Sequence, residues 1–264
     1  MLKLIATDLD GTLLDDDGKL DDQFYDVMNG VHEKNILFIA CSGRFYRTLN
    51  EDFKKIRPNI ILVAHNGAYI QYSKNGKRIF ESSMEYDLVL DVMEFCDSIG
   101  IEKYLCTKDY AHLSNPSDDI VKKFKELRVP IKIVKDLKKI DEKITKIGLF
   151  CQDGILQDIE ECIHRKYKDM LEYYLVGEIW LDIMNQGINK GNAIRMIQEQ
   201  FDIGIHETMV FGDYYNDISM FDRASFSYAM KNAPEEVKKY ANYIAESNND
   251  CGVIKIIQEK IISP

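Results

Sequence analysis

Asp8-Leu9-Asp10-Gly11-Thr12 puts two carboxylates two residues apart, directly after the apolar run Leu2–Thr7. Leu4, Ile5 and Ala6 form a continuous hydrophobic stretch closed by a turn signal, the pattern of a buried strand. At the carboxyl end of a strand both side chains can reach one small crevice. Two negative charges taken out of water together are costly, so a positive partner has to sit between them. A hard divalent cation such as Mg²⁺ suits that place, because it takes oxygen ligands and binds through few carboxylates together with phosphate oxygens. Gly11 allows a tight turn or a close backbone approach there. A metal and phosphate site is the chemistry that these residues fit.

The elements that would position such a site follow one grammar. Ile36–Ala40 runs into Ser42-Gly43-Arg44, Ile60–Ala64 into His65-Asn66-Gly67, and Met209–Phe211 into Gly212-Asp213. Continuous rather than alternating hydrophobicity suits strands covered on both faces, as in a parallel sheet. Helical spacing separates them: Phe24, Val27, Met28 and Val31 share one face, and Ile194, Ile197 and Phe201 share another. Strand and helix in alternation predict a doubly wound α/β domain, whose ligands bind beyond the carboxyl ends of the strands. All the polar endings would then lie along one edge.

Residues 84–184 read differently. Amphipathic helices are expected around Leu88, Val92, Phe95, Cys96 and Ile99, around Ile120, Val121, Phe124 and Leu127, and around Ile155, Ile159, Cys162 and Ile163. Short alternating runs, Lys146–Phe150 and Ile179–Ile183, read as half-buried strands with helices on one face. An α+β module inserted into the first domain is the expectation, with 1–83 and 185–264 forming the α/β core. Trp180, Tyr104, Tyr110 and His112 could stack on a ligand ring, although such residues more often fill the core of a small domain.

The bulk numbers narrow the function classes. Net charge −10 over 264 residues argues against a nucleic-acid binder, which needs a basic face. Hydrophobic residues at 45% and charged residues at 30% are ordinary for a folded domain. The cysteines at 41, 96, 106, 151, 162 and 251 contain no Cys-x-x-Cys pair, so free thiols are expected rather than zinc or a disulfide framework. No stretch approaches the roughly 18 apolar residues of a membrane span, and no export signal is expected ahead of the acidic motif. The cytoplasm is the expected compartment, and nothing in the chain calls for more than a monomer.

Four motifs in order, Asp8-Leu9-Asp10-Gly11-Thr12-Leu13-Leu14, Cys41-Ser42-Gly43-Arg44, Asn189-Lys190-Gly191-Asn192-Ala193 and Gly212-Asp213-Tyr214-Tyr215-Asn216-Asp217, resemble those of the haloacid dehalogenase superfamily. The cap-sized gap between the second and third resembles the Cof-type hydrolases, subclass IIB, and the likeness extends to Asn66-Gly67-Ala68, Ala229–Ala233 and Asp250–Val253. The resemblance implies a Mg²⁺-dependent phosphatase acting on a small phosphorylated metabolite, either a sugar phosphate or a phosphorylated cofactor such as flavin mononucleotide or pyridoxal phosphate. Asp8 would be the nucleophile, forming an aspartyl-phosphate. Asp10 would protonate the leaving alcohol and then take a proton from water, a role that needs a raised pKa. Metal ligands would be Asp8, Asp10 through its backbone carbonyl, Asp213 and Asp217. Phosphate would meet the amide of Leu9, Ser42, Gly43, Lys190 and Asn216. Arg44 and Asn66 are further substrate-contact candidates, Arg44 reading equally as a surface charge. Tyr214 and Tyr215 depart from the small residues common before the asparagine. Asp15-Asp16-Asp17-Gly18 lacks calcium-loop spacing and reads as a solvated turn.

Two alternatives stand beside the hydrolase. A phosphomutase would return the phosphoryl group to a sugar, and isomerised sugar phosphate in place of free phosphate would reveal it. A non-catalytic sensor of phosphorylated ligands would gain nothing from a nucleophile flanked by an acid.

Overall fold

The computed structural model of the chain describes residues 1–56, 58–152, 156–176 and 178–262. Two compact units emerge, one comprising Met1–Gly43, Asn50–Ile79 and Asn189–Pro264, the other Arg44–Leu49 and Phe80–Ile188. The stretch 84–184 lies inside the second unit, which runs wider and also takes in the residues directly after Gly43.

The apolar runs of the first unit form adjacent strands. The sheet runs Tyr243–Ala245, Phe226–Met230, Thr208–Gly212, Leu4–Thr7, Leu37–Cys41, Ile61–Ala64, Tyr69–Tyr72 and Arg78–Glu81. Pairing is parallel from Tyr243–Ala245 through Ile61–Ala64, and Tyr69–Tyr72 returns antiparallel. Leu4–Thr7 lies between Thr208–Gly212 and Leu37–Cys41, with Thr7 opposite both Phe211 and Ala40. That register brings Asp8, Gly212 and Cys41 to the same edge. Chain order reverses at this strand, and the crevice beyond such a switch point is where doubly wound sheets bind ligands.

Helices complete the α/β layering. Gln23–Glu33 buries Phe24, Val27, Met28 and Val31 as its spacing predicts, and Phe24 meets Phe38 of the sheet at 5.5 Å. Burying each such side chain is worth about 1.5–3 kcal/mol of transfer free energy. Lys190–Phe201 buries Ile194 and Ile197, but Phe201 stays 38% exposed because the helix ends there, with Asp202 turning left-handed at φ 52°.

In the second unit the sheet order is Leu171–Val176, Trp180–Asn185, Lys146–Phe150, Glu102–Cys106, Ala111–Leu113 and Ile131–Ile133. Neighbours are antiparallel except the last pair. Both faces are packed, which corrects the one-sided expectation. Leu105, Ile147, Leu149, Leu181 and Ile183 face a core with Val92, Cys96 and Ile163. Tyr104, Cys106, Phe150 and Trp180 face the opposite way, onto Ile120, Phe124 and Phe45. Tyr104 and Trp180 are therefore core residues, Phe124 stacking on Trp180 at 5.1 Å. Helix Tyr86–Ser98 turns Val89, Val92, Met93 and Cys96 inward and leaves Ile99 44% exposed. Helix Asp118–Glu126 buries Ile120 and Phe124 while Leu127 beyond it is exposed. Helix Leu156–Tyr167 buries Ile159 and Ile163, and Ile155 lies outside the described residues.

Candidate active site

Asp8 follows the strand Leu4–Thr7 directly, and its amide donates to the Phe211 carbonyl at 2.9 Å, extending the parallel ladder by one residue. Its side chain is 8% exposed. The chain then turns sharply: the Leu9 carbonyl accepts the amides of Thr12, Leu13 and Leu14 at 3.2, 3.0 and 2.9 Å. Gly11 sits at φ +78°, and a Cβ there would stand 2.4 Å from Asp213 Oδ2. Only glycine satisfies both the left-handed turn and that close approach. Thr12 Oγ1 donates to Asp213 Oδ1 at 2.8 Å, joining the first and fourth motifs.

Lys190 opens the helix Lys190–Phe201, which Asn189 caps by accepting the Asn192 amide at 2.8 Å. A cation at a helix start opposes the helix dipole and requires anionic partners. Lys190 Nζ donates to Asp8 Oδ1 at 2.5 Å and to Asp217 Oδ1 at 2.6 Å, with 1% of the side chain exposed. Gly191 makes this possible, because a Cβ would lie 2.0 Å from the Ser219 carbonyl oxygen. Asp217, fully buried, also accepts the backbone amides of Asp213 and Tyr214 on Oδ2 at 2.9 and 3.1 Å.

Asp8, Asp213 and Asp217 each offer a carboxylate oxygen within 4.8 Å of the others. With Lys190 as the counter-charge, three carboxylates against one ammonium leave a surplus of two negative charges when all are ionised. The cost shows in the acids. Burial, then Asp217, holds the Asp8 carboxyl well above its usual range, Lys190 opposing only in part. Asp213 is pushed up to about 7, by burial first and Asp217 second, with the Thr12 hydroxyl opposing. Burial alone would lower Lys190, but Asp217 and Asp8 outweigh it and keep it charged. Crowded oxygen donors with excess negative charge are the donor set of a hard divalent cation, so Mg²⁺ fits.

The structure also brings together other residues expected at this site. Ser42 is 2% exposed, and its carbonyl accepts the Asn66 amide at 3.0 Å. Asn216 Nδ2 donates to Asn66 Oδ1 at 3.2 Å. Gly43 packs beside the Asn66 side chain. Asp10 is exposed and outside the three-carboxylate cluster, although its charge reaches Asp8 and Asp213. Arg44 is half-buried and belongs to the second unit.

Sequence reasoning missed Thr12 and two asparagines. Asn232 Nδ2 donates to the Gly11 carbonyl at 2.8 Å and its Oδ1 accepts the Asn248 amide at 3.2 Å. Asn248 Nδ2 in turn holds the Leu14 carbonyl at 3.0 Å and Asp16 Oδ1 at 2.9 Å. The position of Asn232, just past the strand Phe226–Met230, was the available signal, since it shares the polar edge. Asp16, expected merely as a solvated turn residue, is thus tied down by Asn248 and Asn249, which lower its pKa.

Known proteins match this arrangement along nearly the whole chain. A family model for haloacid dehalogenase-like hydrolases matches residues 5–257. The 5-amino-6-(5-phospho-D-ribitylamino)uracil phosphatase YbjI of Escherichia coli is 30% identical, over 98% of this chain and 96% of its own. The phosphatase YcsE of Bacillus subtilis, named for the same substrate, is 28% identical over 99% and 96%. The crystal structure of SMU.1108c from Streptococcus mutans superposes with a TM-score of 0.92 at 30% identity, covering 100% of both chains.

Proposed function

Because the chain belongs to the haloacid dehalogenase-like hydrolases of the Cof type and is a phosphatase, we propose that it hydrolyses a small phosphorylated metabolite through an aspartyl-phosphate on Asp8, with Mg²⁺. The observation that carries this reading is the surplus of buried carboxylate charge around Lys190 at the carboxyl edge of the sheet.

In the proposed reaction, Asp8 attacks phosphorus, the ester oxygen leaves, and Asp10 supplies that oxygen with a proton. Water then attacks the aspartyl-phosphate, Asp10 takes its proton, and inorganic phosphate and the Asp8 carboxylate result. Lys190 neutralises charge on the transferring group, an interaction that strengthens as the transition state forms. Ser42, Gly43, Asn216 and the Leu9 amide hold the remaining phosphoryl oxygens. Asp8, Asp213, Asp217 and the Asp10 carbonyl would hold Mg²⁺, which supplies charge neutralisation for an anionic nucleophile and an anionic substrate. Asp217, already accepting Lys190 and two amides, fixes the lysine and the Asp213 backbone as well.

For the substrate, the named relatives point to a phosphorylated sugar alcohol borne on a pyrimidine, which makes that ester and simple sugar phosphates the first to test, with flavin mononucleotide and pyridoxal phosphate next. The cytoplasm is the compartment we infer for the protein. Phosphate release is measured across this panel in Mg²⁺ and in chelator. Release in Mg²⁺ that stops on chelation is expected, and release equally fast in chelator would sink the metal-assisted route.

A further inference from the structure

The turn His65-Asn66-Gly67 touches three separate loops, and none of the steps above employs it. All three residues have left-handed backbone, at φ 49°, 53° and 115°. Asparagine is among the few residues with a side chain that adopt this region readily. The Asn66 amide donates to the Ser42 carbonyl at 3.0 Å, and its side-chain carbonyl accepts Asn216 Nδ2 at 3.2 Å. A Cβ on Gly43 would rest 3.4 Å from Asn66 Oδ1. Gly67 presses on the third loop, where a Cβ would stand 2.7 Å from the carbonyl oxygen of Asn189, the cap of the Lys190 helix. The segments carrying Ser42 and Gly43, Lys190, and Asn216 therefore meet at one three-residue turn.

We propose that Asn66 is a positioning residue: it sets Ser42, Gly43 and Asn216 relative to Lys190 so that their donors converge on one phosphoryl group. Buried at 1% exposure and bonded to both Ser42 and Asn216, it is placed to act through these neighbours, a role separate from the substrate contact expected of it. This inference rests on the proposed phosphatase reaction. Groups that must converge on one small anion lose much of their effect when displaced by a fraction of an ångström to an ångström.

The test uses Asn66→Gly, which keeps the left-handed backbone and removes the acceptor, alone and combined with Asn216→Ala. Turnover of the best ester, affinity for inorganic phosphate and the Mg²⁺-induced rise in melting temperature are measured on each protein. Asn66→Gly is expected to lose roughly 10- to 100-fold in kcat/KM, bind inorganic phosphate correspondingly more weakly, and keep its Mg²⁺ response. Asn216→Ala should then cost less than it does in the wild-type protein, because the bond that positions its amide is already gone. In Asn66→Asp, which keeps the acceptor and the backbone preference, Asn216→Ala should cost about as much as in the wild-type protein. Unchanged phosphate affinity in Asn66→Gly, or losses that simply add, would overturn the inference. A wild-type protein that hydrolyses none of the esters would instead fell the phosphatase reading, and the phosphate affinities would still decide the role of Asn66.

Discussion

Each unit buries a lysine against carboxylate, one aspartate in the second unit and several in the first, and the two arrangements differ in charge, not in depth. In the second unit Lys146, 6% exposed at its side chain, meets Asp182 at 2.9 Å across the strands Lys146–Phe150 and Trp180–Asn185. In the first, Lys190 meets Asp8 and Asp217 while Asp213 crowds the same cluster. Burial alone would lower Lys146, but Asp182 outweighs it and the ammonium stays charged, so the pair is matched. A matched buried pair roughly breaks even against an apolar replacement. The Lys190 cluster cannot balance itself, and the imbalance appears as Asp8 and Asp213 held protonated above their usual range. Burial of charge therefore does not separate scaffold from site in this chain. Surplus charge does.

The sharpest way to break that contrast is to remove one carboxylate from each lysine. Asp8→Asn should abolish phosphate release, a loss on the order of 10⁴-fold or more for a missing nucleophile. It should leave the melting temperature of the metal-free protein unchanged or higher, because it deletes charge from an overcrowded cluster. Asp182→Asn should do the reverse, taking a carboxylate away from buried Lys146 at a cost of about 3–5 kcal/mol, read from urea unfolding. Replacing both members, Lys146→Met with Asp182→Leu, should recover most of that loss. If Asp8→Asn destabilises as much as Asp182→Asn, the two clusters are energetically alike and the contrast fails.

The strands of the first unit were readable because a parallel sheet covered on both faces demands unbroken apolar runs, and Leu4–Thr7, Leu37–Cys41, Ile61–Ala64 and Thr208–Gly212 supply them. The polar residues that end those runs stand out for the same reason, so Asp8, Ser42, Asn66 and Asp213 could be gathered on one edge. Partners far apart in sequence carried no such signal. Thr12 and Asp213 are separated by 201 positions, and Asn248 and Leu14 by 234. The Lys146–Asp182 pair hid inside alternation, since a charged residue at the polar positions of a strand reads as solvent-facing until a second layer covers it. In Tyr86–Ser98 the core face is wider than expected: Val89 and Met93 join Val92 and Cys96, while Leu88 and Phe95 pack partly buried against the same core, since a 3.6-residue period fits both rows. The attachment of Phe45 to the aromatic core of the second unit had no local signature.

The smallest expected effect tests where the pH sensitivity of stability resides. Asp213 in the metal-free fold holds its proton up to about pH 7, whereas an unfolded aspartate releases it near ~3.9. Between those values the native state binds more protons than the unfolded state, so stability falls as pH rises through the window and levels off above it. Lys146 works in another range: its pKa is raised from 10.5, so what it contributes is intact at every lower pH and is lost only as the pH climbs beyond that value. Other carboxylates titrate in the acid range too, which makes the difference between wild type and Asp213→Asn the quantity to follow. In chelator that difference should narrow steadily as the pH is lowered from about 7 toward ~4. Added Mg²⁺ should stabilise the wild-type protein, by about 2.7 kcal/mol at a hundredfold excess over its dissociation constant, and should do far less for Asp213→Asn. Asp182→Asn should keep both the slope and the Mg²⁺ response. A slope that survives in Asp213→Asn but vanishes in Asp182→Asn would place the unbalanced charge in the wrong unit.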